Sequence, residues 1–156
     1  MGKRMSPRER ERQRPNPGRD RGGAVVRERS TAELAISLAL DHDAPRAARK
    51  HVETVDRPSP DLRDAVVLLT SELVSLAVRR CQFAGAAIDL RVWMPHDVVR
   101  VEIRAPRSFL SRFAQAEDPA AADPDYALVL IRSLADRWSL EGSGDVARMW
   151  FEIDRH

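Results

Sequence analysis

The sequence has few of the residue types that cross-link a protein or hold a metal. Cys81 is the only cysteine in 156 residues, which excludes an internal disulfide and a cysteine-rich zinc site. The histidines do not stand at metal-ligand spacing; they are His42, His51, His96 and His156. No apolar run approaches the roughly 18 residues of a membrane-spanning helix. The Arg-rich start is not followed by the apolar segment of a signal peptide, so we expect a cytoplasmic protein.

Positive charge is concentrated at the N-terminus. Residues 1–30 hold ten Lys and Arg against four Asp and Glu, a net charge of +6, and residues 31–156 carry −4. The first segment has too few apolar residues to offset its chain entropy. We therefore predict a basic disordered tail at 1–30 and one folded domain at 31–156. A basic tail can bind nucleic acid, but this one has no base-reading motif, so nucleic acid is the least favoured partner.

Hydrophobic spacing predicts the order strand, helix, helix, strand, strand, helix, strand, strand. The predicted strands cover residues 33–40, 86–93, 98–103, 138–141 and 146–153, and the predicted helices cover 44–55, 59–80 and 125–137. Residues 109–123 fit a loop or a loose helix. Trp93, Trp138 and Trp150 are expected to fill the core. The hairpins favour an α+β fold, a two-layer sandwich with a mixed, mostly antiparallel sheet and helices on one face.

Four segments together resemble a known ATPase family. They are Ala44–Arg49, Leu68–Val74, Ser133–Trp138 and Val146–Ile153. Their order and spacing are similar to the histidine-kinase-like ATPase (Bergerat-type) fold, and most of all to the short bacterial serine kinases that act as anti-sigma factors. The resemblance covers about residues 34–153 and implies a site for ATP and magnesium.

The residues at the family's nucleotide-binding positions are mostly replaced. The family's general base falls on Glu72, which is retained, whereas its magnesium-binding Asn falls on Leu76, which has no oxygen for a hard cation. Its adenine-binding Asp falls on Ala105 after a predicted strand. Its glycine-rich lid falls on Asp125 and Ala127. A carboxylate there repels phosphates by several kcal/mol, whereas a micromolar site has only about 8 kcal/mol of binding free energy in total.

The resemblance therefore predicts a pseudokinase, a protein-binding regulator of transcription that works by partner switching, with a degenerate ATP-binding site and no cofactor. Its implied partner is a sigma factor or an anti-sigma antagonist, and the family also allows a homodimer. One alternative is an active ATP-dependent serine/threonine kinase in which Glu72 is catalytic. A purely structural alternative for Glu72 is an ion pair with Arg79 or Arg80. A further alternative is a nucleic-acid binder that uses residues 1–30.

Overall fold

A computed structural model describes residues 32–55, 60–81, 85–116 and 125–155. All of them belong to one compact unit, Ala32–His156. The predicted tail at 1–30 and the helix start predicted at Ser59 lie outside the described residues, and both stay predictions.

The described chain follows the predicted order of strands and helices, with one additional short helix. The elements are β1 (Leu34–Ala39), α1 (Ala44–Glu53), α2 (Pro60–Arg80), β2 (Ala87–Trp93), β3 (Val98–Pro106), a 3-10 turn (Arg107–Phe109), α3 (Leu110–Ala116), α4 (Tyr126–Leu134), β4 (Arg137–Ser143) and β5 (Val146–Asp154). The additional helix, α3, lies in the segment that was predicted as a loop or a loose helix.

The five strands form one sheet in the order β1-β2-β3-β5-β4. Every pairing among the described strands is antiparallel. The predicted α+β class is confirmed, but the predicted parallel component of the sheet is wrong for these strands. The reason is the β4–β5 hairpin, which turns at Gly144 with φ of 57° and returns β5 beside β3 in the opposite direction. A left-handed residue of this kind suits a tight hairpin.

The core lies between the sheet and the helices on one of its faces. Alternate residues of β3, Val99, Val101 and Ile103, point inward because successive strand side chains alternate between faces. On α2, Leu69, Leu73, Leu76 and Ala77 recur at helical spacing and are fully buried. The inward residues of α1 and α4 join the same cluster; they are Ala44, Ala48, Val52, Ala127, Leu128 and Ile131.

Two predicted boundaries are wrong in ways that affect the site. Strand β3 continues to Pro106, so Ala105 pairs with Ala147 inside the sheet and does not follow the strand. Helix α4 begins at Tyr126 and ends at Leu134, because the backbone of Asp125 and Ala135 is extended. Asp125 therefore precedes the helix and is not part of it.

The outer face of the sheet carries a chain of ion pairs across three strands. Arg104 Nε lies 2.5 Å from Glu102 Oε1, and Arg100 Nη2 lies 2.9 Å from Glu102 Oε2. Glu152 continues the chain on the next strand: its Oε1 lies 3.2 Å from Arg100 Nη1, and its Oε2 lies 2.7 Å from Arg137 Nε. Arg137 also pairs with Asp154, the last member. Both glutamates and Arg100 are buried.

Trp150 lies on this outer face, although it was predicted in the core. The Arg100 guanidinium carbon sits 4.1 Å from the centre of the Trp150 ring, a cation–π arrangement. The indole N–H donates to Glu141 at 3.3 Å. Trp138, by contrast, packs against the core as expected.

Candidate functional site at the junction of α2 and α4

Helix α2 presents the first two predicted site residues one turn apart. Leu76 is fully buried and belongs to the hydrophobic core. Glu72 is partly exposed, and the structure gives its carboxylate no hydrogen bond or ion pair within the described residues. This part of α2 therefore offers one outward-facing carboxylate, that of Glu72. Leu76 has no ligand atom for a cation.

Asp125 caps the start of α4. Its backbone is extended, and its Oδ1 atom accepts a hydrogen bond from the Ala127 backbone N–H at 3.1 Å. Aspartate suits this position because the first backbone N–H groups of a helix have no partner within the helix. The side chain is only 5% exposed, so the carboxylate is held inside the protein.

The same carboxylate binds the end of α2. Arg79 Nη2 lies 2.7 Å from Asp125 Oδ1, and Arg80 Nη2 lies 3.5 Å from Oδ2. The last turn of one helix is thereby fixed to the first turn of another. The Arg79 side chain is 46% exposed and that of Arg80 is 32% exposed, so the junction opens to solvent on the arginine side.

The ion pair suggested between Glu72 and Arg79 or Arg80 is wrong. The arginines follow Glu72 by seven and eight residues. At about 1.5 Å per residue that separation is roughly 10 to 12 Å along the helix, whereas helical ion pairs form three or four residues apart. Both arginines turn to Asp125 instead.

The electrostatics of this junction suit an anion. Two guanidinium groups meet the positive end of the α4 dipole, where negative groups are stabilised. Arg112 approaches from α3 and donates to the Arg80 backbone carbonyl at 3.4 Å. The anion that binds there is a side chain of the protein itself, Asp125.

The remaining predicted positions offer no polar side chain. Ala105 lies inside β3 and Ala127 in the first turn of α4, and both are buried. Ala127 contributes only its backbone N–H, which Asp125 already accepts. The structure thus brings Asp125 and Ala127 together with Arg79 and Arg80, a cluster that sequence reasoning did not assemble.

Cys81 follows α2 directly and is fully buried. Burial raises the pKa of its thiol to about 11, and the positive charge of Arg112 offsets part of that effect. Because the thiolate is the reactive form, this thiol is a poor nucleophile at neutral pH. Cys81 is therefore a core residue beside the junction.

Comparison with known proteins does not assign this chain to a family. No protein-family model matches the chain, and no curated protein matches it.

Across residues 32–55, 60–81, 85–116 and 125–155, no group of three or more His, Cys, Asp and Glu side chains is arranged to hold a metal ion. None of the described helices has both the length and the apolar character needed to cross a membrane.

Proposed function

We propose that the protein is a regulatory module that binds a protein partner without nucleotide control. Its type is that of the anti-sigma-factor serine kinases with a Bergerat-type ATPase fold. The observation that carries the proposal is the Asp125 carboxylate, which lies at the start of α4 between Arg79 and Arg80. In the family that this sequence resembles, phosphates approach this part of the fold.

Two side chains argue against ATP and magnesium as ligands of the junction. Asp125 neutralises the positive groups that a phosphate needs, and phosphate would have to displace a buried, doubly paired carboxylate. Leu76 supplies no oxygen for magnesium and is needed in the core. The residues present therefore do not fit a magnesium–nucleotide, and we assign no phosphoryl-transfer step to this site.

The proposed partner is a sigma factor or an anti-sigma antagonist, and a homodimer is compatible with the proposal. The test mixes the full chain with purified candidates of both classes and measures complex formation by size-exclusion chromatography with and without ATP. We expect a complex at micromolar concentration whose yield is the same in both conditions. Failure to bind any candidate of either class would overturn the proposal.

A second candidate, an ATP-dependent serine/threonine kinase, depends on Glu72. Its carboxylate is partly exposed and has no partner among the described residues, so it is available as a base. Transfer of phosphate to an antagonist protein, lost in Glu72→Gln and kept in the control Glu53→Gln, would establish this candidate. Glu53 is an exposed residue at the end of α1, which makes it a suitable control.

A further inference from the structure

Helix α4 has apolar residues around most of its circumference, and some of them are exposed. Its sequence is YALVLIRSL, with Arg132 and Ser133 as its only charged or aliphatic-hydroxyl residues. The Ser133 hydroxyl donates to the Val129 carbonyl at 2.7 Å and so is satisfied within the helix. A helix that is apolar all round is normally buried on all sides.

Only one side of α4 is buried. Ala127, Leu128 and Ile131 face the core. Tyr126 is 66% exposed, and Val129 and Leu134 are each 44% exposed. These three residues define what we call the α4 outer face. Contiguous exposed apolar surface that is rimmed by polar residues marks protein-interaction sites, whereas single exposed apolar side chains do not.

Arginine side chains lie at both ends of the α4 outer face. At its start, Arg79 and Arg80 share the single carboxylate of Asp125, which leaves an excess of one positive charge beside the positive end of the helix dipole. In its last turn stands the exposed Arg132, whose guanidinium carbon lies 5.3 Å from the centre of the Trp138 ring. Just beyond the helix, the exposed Asp136 carboxylate accepts from the Asp154 backbone N–H at 2.7 Å, so the net positive charge lies at the start of the α4 outer face.

We propose that the α4 outer face docks an acidic amphipathic helix of a partner protein. This inference rests on the proposed function and adds the surface and the chemistry of the partner. Apolar side chains of the partner, one turn apart, contact Tyr126, Val129 and Leu134, and its carboxylates face Arg79 and Arg132. A second copy of this chain fits less well, because it would bring two arginine-bearing rims together.

The test uses two synthetic helical peptides that have the same leucine positions and carry either Glu or Lys at every polar position. Binding to the full chain is measured by fluorescence anisotropy. We expect the acidic peptide to bind about tenfold or more tightly than the basic one. Val129→Glu should weaken acidic-peptide binding by about tenfold or more, because it adds to the α4 outer face a carboxylate that repels those of the peptide.

The matched control is Ala35→Glu, which adds the same charge at an exposed position of β1 on the other face of the sheet. It should leave binding unchanged, and circular dichroism should show that both variants are folded. Equal binding of the two peptides, no binding of either, or insensitivity to Val129→Glu would overturn the proposal. So would self-association of the chain that Val129→Glu abolishes, since a second copy would then be the occupant.

The outcome is separable from that of the proposed function. Val129 is not one of the positions that the resemblance assigns to nucleotide, so a positive ATP titration would remove the proposed function and leave a positive peptide result in place. Conversely, if neither peptide binds and the chain also binds no nucleotide, the proposed docking role of the α4 outer face is overturned and the proposed function is not.

Discussion

The Asp125 carboxylate accepts a hydrogen bond from the Arg79 guanidinium at 2.7 Å, across 46 residues of sequence. The same carboxylate caps α4 through the Ala127 N–H. One side chain thus joins two helices and occupies the positive end of the second. Both the stability of the junction and its proposed lack of nucleotide affinity follow from this contact.

Replacement of Asp125 should separate its two roles. Asp125→Ala removes the cap and the ion pairs, and we expect it to lower the free energy of unfolding by about 1–3 kcal/mol. Asp125→Asn keeps a side-chain oxygen that suits the cap and should cost about 1 kcal/mol or less. Urea denaturation of both variants measures the difference. If Asp125→Ala is as stable as the parent chain, the junction does not stabilise the fold.

An amide introduced at position 76 should damage the core. Leu76→Asn places an unpaired amide at a fully buried position, and we expect a loss of about 2–4 kcal/mol in unfolding free energy. Leu68→Asn is the matched control, because Leu68 is on the same helix but 40% exposed, and it should cost about 1 kcal/mol or less. Equal losses in the two variants would contradict the assignment of Leu76 to the core.

The strands and the long helix could be predicted because their patterns are local. Alternation in β3 identifies Val99, Val101 and Ile103 as inward residues, and helical spacing identifies the buried residues of α2. The end of β3 was missed because Ala105 and Pro106 carry no clear alternation. The predicted strands at 138–141 and 146–153 anticipated the β4–β5 hairpin, but its position beside β3 depends on long-range pairing.

The site was harder to predict than the fold. An aspartate that precedes an apolar helix is an N-cap signal, so the role of Asp125 at α4 was open to prediction. Its partners were not, because Arg79 and Arg80 lie more than 40 residues away in sequence. The α4 outer face was also missed, since the sequence does not say which side of a wholly apolar helix meets the core.

The ion pairs on the outer face of the sheet should contribute to the free energy of unfolding according to how deeply they are buried. Glu152→Ala leaves the buried Arg100 without one of its two carboxylates, and we expect a loss of about 3–5 kcal/mol. Asp154→Ala removes a carboxylate that is 34% exposed and should cost about 1 kcal/mol or less. Thermal and urea unfolding measure both. The account of this face fails if the Asp154 variant is the less stable of the two.

The buried thiol should give stability a dependence on alkaline pH. The pKa of Cys81 is about 11 in the folded chain against 9.0 as its ordinary value, so the folded state holds the proton more tightly. The resulting contribution of about 2–3 kcal/mol is complete below pH 9 and declines as the pH rises towards 11. Cys81→Ala should remove this part of the pH dependence. Iodoacetamide should label the native thiol slowly at pH 8; rapid labelling there would contradict the raised pKa.

The most direct test of the central claim is calorimetric titration of the full chain with ATP and ADP, with and without magnesium. We predict no binding heat at high micromolar nucleotide in any of the four titrations. Asp125→Ser, which keeps a capping side chain but removes the charge, provides the comparison. Magnesium-dependent binding by the parent chain would contradict the account, because it would require a phosphate to share the junction with Asp125 and a cation to bind beside Leu76.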